Sequence, residues 1–369
     1  VTESFFLSKK LYGRNKEIEV ISKCFQSVAV GSREIVLVSG HSGIGKTTLI
    51  HEAFSVLERK REFIISGKFD QLKGDTPYSA FVAAFQELIK RLLSQSDQSL
   101  ERWREKIQTA LGFNGQIVIE VIPEIELIIG PQPVLPKLGP IETQNRFDLV
   151  FLNFVHAFCT PEHPLIIFLD DLQWADSASL KLLHRILEDS ELRSLFFIGT
   201  YRDNEVDPGH PLLLVLKELH EKNIFINQLS LGPLDQHDIR ELIIDALKIQ
   251  DNSAIELSEL ILRKTEGNPF FVEFFLNSLI EKNLLVYRRT EDQDCLESSG
   301  GWLWDIHKIQ DETVTENVVD LLAQKIQQLQ YGARVLLQSA SCFGNLFEMD
   351  DLSVICQKQV HEVRTDLWW

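Results

Sequence analysis

The stretch GHSGIGKTT, residues 40–48, limits what this chain can fold into more than any other. It follows directly on the apolar run EIVLVS at 34–39 and leads into a helical stretch from Thr47 to about residue 60. The spacing fits G-x-x-x-x-G-K-[ST], and its place between a buried strand and a helix is the one its mechanism requires. Gly40, Gly43 and Gly45 let the backbone curl so that its N–H groups point inward at an anion. The helix that follows adds its positive N-terminal end. Lys46 is then placed to neutralise the terminal phosphates of a nucleotide, and the Thr47 hydroxyl to ligate Mg²⁺. Ile44 and Thr48 complete the run of nucleotide-binding candidates, although Thr48 fits helix packing better than chemistry. A glycine-rich turn with a solvated lysine is the weaker reading.

A second stretch, LIIFLDDLQWAD at 165–176, raises a problem of charge. Asp170 and Asp171 are adjacent carboxylates at the end of a buried strand, where they repel each other and resist desolvation. A magnesium ion and a triphosphate beside the strand end would stabilise them. Successive side chains of a strand point to opposite faces, so the two acids are expected in separate roles. Asp170 fits the Mg²⁺ partner, and Asp171 the group that orients or deprotonates the attacking water. Asp176 precedes SASLKLLHRIL and reads as a helix N-cap. In TYRDNEV, Thr200 and Arg202 sit at another strand tip, where a guanidinium could tell a triphosphate from a diphosphate. Local pairing of Arg202 with Asp203 or Glu205 is the plainer alternative.

Further strands are expected at 62–66, 195–201 and 224–230, and helices at 79–95, 99–111 and 142–158. Strands alternating with helices predict an α/β parallel sheet with helices on both faces. The Pro- and Gly-rich stretch 124–140 reads as a surface loop or an insertion over the nucleotide site. Beyond residue 232 three helices are expected at 235–248, 253–265 and 269–281, then a short strand at 301–305 and helices from about 312. Two or three domains are the prior for 369 residues. The net charge of −17 opposes broad contact with nucleic acid or anionic membrane. The five cysteines form no CxxC pair and read as thiols in a reducing, cytoplasmic setting. No apolar run is long enough for a membrane span. VTESFFLSKK and VRTDLWW at the two ends read as the middle of something longer.

Taken together, these residues resemble P-loop ATPases of the STAND type, signal-transducing relatives of AAA+ proteins. LYGRNKE (11–17) resembles the opening motif whose Gly13 and Arg14 lie near the adenine, GHSGIGKTT the Walker A motif, and LIIFLDD Walker B. GTYRD resembles the sensing strand, and TEGNPFFVEFF (265–275) the lid element whose Pro269 touches the base. From the residues alone, Gly13-Arg14 is equally a turn before a helix, and Gly267 and Pro269 an ordinary helix end and helix start. The run also resembles the ATPase module of very large bacterial signalling kinases. The resemblance implies ATP or ADP and Mg²⁺ as cofactors. It implies a five-stranded parallel P-loop NTPase sheet at 1–232, a small helical lid at 233–290 and a partial winged-helix-like segment at 291–369. Neighbouring kinase or sensor domains of a longer chain are the implied partners, and self-association is left open.

Two departures favour a slow switch over a motor. Phe270 and Phe271 stand where many motors place an arginine, and the second Walker B acid is Asp171 rather than a glutamate. The expected function is therefore an ATP-binding, slowly hydrolysing regulatory module. An AAA+-like motor or loader, and a scaffold that holds nucleotide without hydrolysis, are the alternatives. The histidine that some relatives place against the diphosphate cannot be assigned.

Overall fold

Five parallel strands carry the residues singled out above, and their order decides which of those residues can meet. A computed structural model describes residues 10–57, 63–71, 76–136, 138–289, 300–310, 326–327, 329–343 and 348–367. Within it the strands are β1 (Arg33–Ser39), β2 (Phe63–Lys68), β3 (Leu165–Asp170), β4 (Leu195–Tyr201) and β5 (Asn227–Ser230). They lie in the order β2-β3-β4-β1-β5, and every pairing is parallel. Chain order is broken where β1 enters between β4 and β5. Ligands of open α/β sheets bind at such switch points, outside the carboxyl ends of the strands. Gly40 follows β1 there, Asp170 closes β3, and Thr200 lies near the end of β4.

The inner strands β1, β3 and β4 are buried on both faces, as near-continuous apolar strands require. Ile35 and Leu37 of β1, Ile167 and Leu169 of β3, and Phe197 of β4 join one large core with helices α3 (Ser79–Leu93), α4 (Asp97–Leu111), α7 (Pro140–Phe158), α8 (Ser177–Glu188) and α9 (Pro211–Glu221). Between α4 and α7 lie two short helices, α5 (Gly115–Ile119) and α6 (Glu126–Ile129). On the opposite face Phe168 meets the rings of His51 and Phe54, at centroid distances of 6.2 and 6.3 Å. Those two residues belong to α2 (Lys46–Leu57), which lies beyond α1 (Asn15–Ala29) in the element order. The expected α/β class, with helices on both sides of a five-stranded parallel sheet, is therefore observed.

Several expected boundaries move. The strand placed at 62–66 runs on to Lys68, which brings a lysine to the sheet's ligand-facing edge. The strand placed at 224–230 begins only at Asn227, because Ile224 N–H still donates to Leu219 O at the end of α9 (3.0 Å). The loop expected at 124–140 is a loop only in its second part. Ile125, Ile128 and Ile129 are buried in the main core on a turn and on α6, so the start of that stretch is a packed element rather than a surface insertion. The proline content of the remainder masked this apolar run.

The chain divides into two compact units, one of residues 15–42 and 46–231, the other of 1–14, 43–45 and 232–369. In the second, α10 (Gln236–Leu247), α11 (Asp251–Thr265) and α12 (Pro269–Glu281) bury Ile239, Ile243, Leu257, Ile261, Val272 and Leu276 together with Tyr12. Asp235 starts α10 with a reciprocal capping box with Asp238. The antiparallel pair β6 (Leu285–Arg289) and β7 (Gly300–Trp304) follows, so the expected short strand at 301–305 is one arm of a hairpin that straddles residue 290. Helices Tyr331–Ala340, Met349–Cys356 and Val360–Leu367 close around Leu336, Leu352 and Val363. Residues 311–325, where further helices were expected to begin, lie outside the described residues, as does Cys295. Among the described residues no helix is long and apolar enough to cross a membrane.

One glycine fixes where β2 delivers its lysine. A Cβ on Gly67 would lie 2.1 Å from the backbone oxygen of Ala80, in the first turn of α3. Gly67→Ala must therefore push α3 away from the sheet, at a cost of about 1–3 kcal/mol. Urea unfolding should show a lower midpoint with an unchanged slope. An unaltered midpoint would mean that α3 does not seat against β2 in this way.

Candidate functional site

At the carboxyl end of the sheet, within the first unit, three strands and one helix bring together Lys46, Thr47, Lys68, Asp170, Asp171, Thr200 and Arg202. The glycine loop feeds α2 with φ values of 149°, 75° and 97° at Gly40, Gly43 and Gly45, a region that residues with a Cβ seldom occupy. Lys46, the first residue of α2, is buried and turns back on its own loop. Its Nζ donates to the carbonyls of Gly40 (2.7 Å) and His41 (3.0 Å). Burial lowers its pKa, with the nearby Arg202 adding to that effect and the charges of Asp171, Asp170 and Asp203 opposing it.

Thr47 Oγ1 lies 3.1 Å and 3.3 Å from the two carboxylate oxygens of Asp170, so the two residues expected to share a metal are brought together. Oxygen donors from a hydroxyl and a carboxylate, side by side above a phosphate loop, are the hard ligands that suit Mg²⁺. Thr200 donates to Asp170 from β4, and its hydroxyl accepts the backbone N–H of Asp171 at 3.2 Å. Thr48, in the first turn of α2, is exposed, so the helix packing expected of it is not seen.

The expectation that Asp170 and Asp171 point apart is overturned. Alternation of faces holds only inside a strand, and β3 ends at Asp170. Asp171 adopts the left-handed conformation (φ 57°, ψ 48°) at the head of a 3₁₀ turn, Leu172–Trp174. That turn swings its carboxylate back beside its neighbour's, and one cation serves both. Lys68 Nζ lies 2.7 Å from Asp171 Oδ2 and 3.3 Å from Asp170 Oδ2. β2 makes this possible by pairing in register, with Lys68 opposite Asp170. The second Asp171 oxygen accepts from Gln173 Nε2 at 3.0 Å, with Arg202 Nε at 3.5 Å.

The net effect on Asp171 is a pKa below the ordinary 3.8. Burial works against its charge, but hydrogen bonds from Lys68 and Gln173, and the charges of Lys68 and Arg202, outweigh it. Lys68 is shifted upward for the complementary reason. Its partial burial disfavours the ammonium, and the two aspartates more than restore it. Part of the charge balance that the sequence reading gave to a bound metal is thus supplied by the chain itself.

Arg202 is seen in the plainer of its expected settings, local pairing. Its Nη1 pairs with Glu205 at 2.6 Å, its guanidinium lies 4.7 Å from the Trp174 ring centroid, and its Nε faces Asp171. Asp176 caps α8 as expected, accepting from the Ser179 backbone at 2.8 Å. Gly13, Arg14, Gly43, Ile44, Gly45 and Pro269 group with the second unit. There Arg14 is buried and donates to the carbonyls of Gly232 (2.6 Å) and Ile44 (3.3 Å). Gly13 turns at φ 66° beside the Asp238 carboxylate. Pro269 is the first residue of α12, behind an Asn268 cap that accepts from Phe270 N–H.

Lys68 and Gln173 were not selected from the sequence. A lysine two residues past an apolar run was the available signal for Lys68. Nothing in the spacing points to Gln173, because its place depends on the left-handed turn at Asp171.

A family model described as an AAA ATPase domain matches residues 10–198. The hybrid signal transduction histidine kinase G of Dictyostelium discoideum is 30% identical over 95% of this chain and 12% of that protein. Histidine protein kinase 1 of Candida albicans is 24% identical over 51% of this chain and 8% of that protein. The chain thus spans about a tenth of the length of these two relatives. Among solved structures, a Walker-type ATPase of Pyrococcus abyssi is 15% identical, with a TM-score of 0.45 over 76% of this chain and 72% of that one, a distant likeness.

The clamp has a pH signature. A carboxylate whose folded pKa is depressed contributes stability in full above its unfolded value, and that contribution is lost as pH falls through the folded value. Lys68→Met should cost about 1–2 kcal/mol at pH 7, after discounting for the half-exposed lysine. The difference from wild type should shrink as pH falls below the ordinary aspartate value of about 3.8 and on through the depressed folded value of Asp171. Denaturant titrations at pH 7 and pH 3 measure it. An equal deficit at both values would count against the ion pair.

Proposed function

The chain belongs to the AAA ATPase domain family, and on that premise we propose that it is an ATP-binding, slowly hydrolysing regulatory switch within a larger signal-transduction protein. The observation that carries this reading is the clamp on Asp171, held by Lys68 at 2.7 Å and Gln173 at 3.0 Å. A general base works best with a pKa near the working pH. A carboxylate held below its ordinary value and bonded on both oxygens is a poor one. Its side chain is also a methylene shorter than glutamate. Slow turnover follows, and slow turnover gives each nucleotide state a long lifetime.

The residues divide the work accordingly. Lys46 and the N–H groups of the glycine loop bind the β- and γ-phosphates. Thr47 and Asp170 would hold Mg²⁺, which when bound neutralises phosphate charge. Asp171 orients the water that attacks the γ-phosphorus, and ADP leaves with the bridging oxygen. Arg202 is placed to favour triphosphate over diphosphate through a charge-assisted contact.

A switch needs no chemical output beyond this. A population shift requires only that ATP and ADP bind two conformations with different affinities. The readout belongs to neighbouring signalling domains. Support for such a setting comes from the relatives, whose names are those of histidine kinases and of which this chain matches 12% and 8%. The kinase activity in those names is not assigned to this stretch.

Denaturing the purified chain and identifying released nucleotide tests the first half of the proposal, and Mg²⁺-dependent phosphate release tests the second. Lys46→Ala should weaken nucleotide binding roughly 10- to 100-fold, the value of one or two charge-assisted contacts. Asp171→Asn should keep binding and lower phosphate release by about 100-fold or more. A chain that neither carries nor binds nucleotide would overturn the proposal, and an Asp171→Asn variant as active as wild type would remove its mechanism.

A further inference from the structure

The proposed switch uses only the end of Gln173 that holds Asp171, yet both ends of its side chain are engaged and it is only 6% exposed. Nε2 donates to Asp171 Oδ1 at 3.0 Å, and Oε1 accepts the backbone N–H of Arg202 at 3.1 Å. The amide cannot be turned round. A backbone N–H only donates and an ionised carboxylate only accepts, so the oxygen must face Arg202 and the nitrogen Asp171. The main chain of Gln173 is pinned as well. Its carbonyl lies 3.1 Å from His210 Nε2, while His210 Nδ1 accepts the N–H of Leu212 at the start of α9. His210 is therefore held as the Nε2–H tautomer, donating to Gln173. One buried side chain thus spans the ends of β3 and β4.

We propose that Gln173 is a positioning residue that couples the Asp171 carboxylate to the main chain bearing Arg202. A shift of that strand end, when Arg202 engages the terminal phosphate, is then passed through the amide to the group that orients water. This rests on the hydrolytic reading of Asp171 given above. It adds what that reading lacks, a physical link between sensing the nucleotide and aiming the reactive carboxylate. Lys68 holds Asp171 from the β2 side, whereas Gln173 holds it from the sensing strand.

The near-isosteric change Gln173→Glu separates this from a space-filling role. The introduced carboxyl would face Asp171 at the distance of the present hydrogen bond, and burial and like charge would both raise its pKa. Ionised, it repels Asp171 and cannot donate. Protonated, it donates as the amide does. Gln173→Leu keeps the bulk and loses both bonds at every pH.

The full chain, wild type and both variants, would be assayed from pH 5.5 to 8.5 for phosphate release. Affinities for fluorescent ATP and ADP analogues, and thermal melting, would be measured over the same range. For Gln173→Glu we expect release reduced about 10- to 100-fold at pH 8 and recovering at least half of that loss near pH 5.5, an acid limb absent from wild type. Its ratio of ATP to ADP affinity should fall several-fold at pH 8, and its melting deficit should widen as pH rises. Gln173→Leu should be slow throughout, with no acid recovery. Both variants within twofold of wild type at all pH values would overturn the coupling, as would a Gln173→Glu loss that does not depend on pH. A wild-type chain that releases no phosphate would overturn the switch reading and the coupling with it. The melting profile would still report whether the bond exists, which keeps the two failures apart.

Discussion

Everything at the carboxyl edge of this sheet depends on how two adjacent carboxylates are accommodated where both are nearly buried. Asp170 and Asp171 are 6% and 4% exposed. Buried charges of one sign survive only with counter-charge and hydrogen bonds to their charged forms. Here Lys68 reaches both acids, the Thr47 and Thr200 hydroxyls serve Asp170, and Gln173 and Arg202 serve Asp171. The partners come from several elements, so the charge balance also holds the ends of β2, β3, β4 and α2 in one arrangement. Removing one partner would leave an unpaired charge, and for that reason the cluster couples stability to chemistry.

The parallel sheet and the loop-borne half of the site were legible because their signals are local. Apolar runs ending at glycine or aspartate announce strands, and the spacing of Gly40, Gly45, Lys46 and Thr47 announces the cradle. The pairing of Thr47 with Asp170 followed from the same logic and is seen at 3.1 Å. What failed was inference from periodicity past the end of an element. The rule that neighbouring side chains diverge was applied to Asp171, which lies one residue beyond β3 and turns left-handed. Lys68 went unnoticed because its partner is 102 residues away, and only the in-register pairing of β2 with β3 brings them together. The apolar residues Ile125, Ile128 and Ile129 were hidden by the prolines that follow them, although all three are buried.

Membership of the AAA ATPase domain family gives the site its chemistry in outline. In this chain the acid to which the proposal gives the water-orienting role is tightly restrained. An aspartate in the left-handed region costs of the order of 1–2 kcal/mol relative to an unstrained backbone. Such strain persists where surrounding contacts over-determine the conformation, and three side chains converge on this one. The same contacts that stabilise Asp171 depress its basicity. That restraint is what the proposed slow switch rests on.

The central claim is that Lys68 and Asp171 form an energetically coupled pair, and a double-mutant cycle measures that directly. Lys68→Met, Asp171→Asn and the double variant would be compared with wild type by denaturant unfolding at pH 7. A coupling energy of about 1 kcal/mol or more is predicted for a half-buried, hydrogen-bonded ion pair. Additivity of the two substitutions within about 0.3 kcal/mol, the behaviour of independent sites, would contradict the clamp and the account of slow turnover built on it.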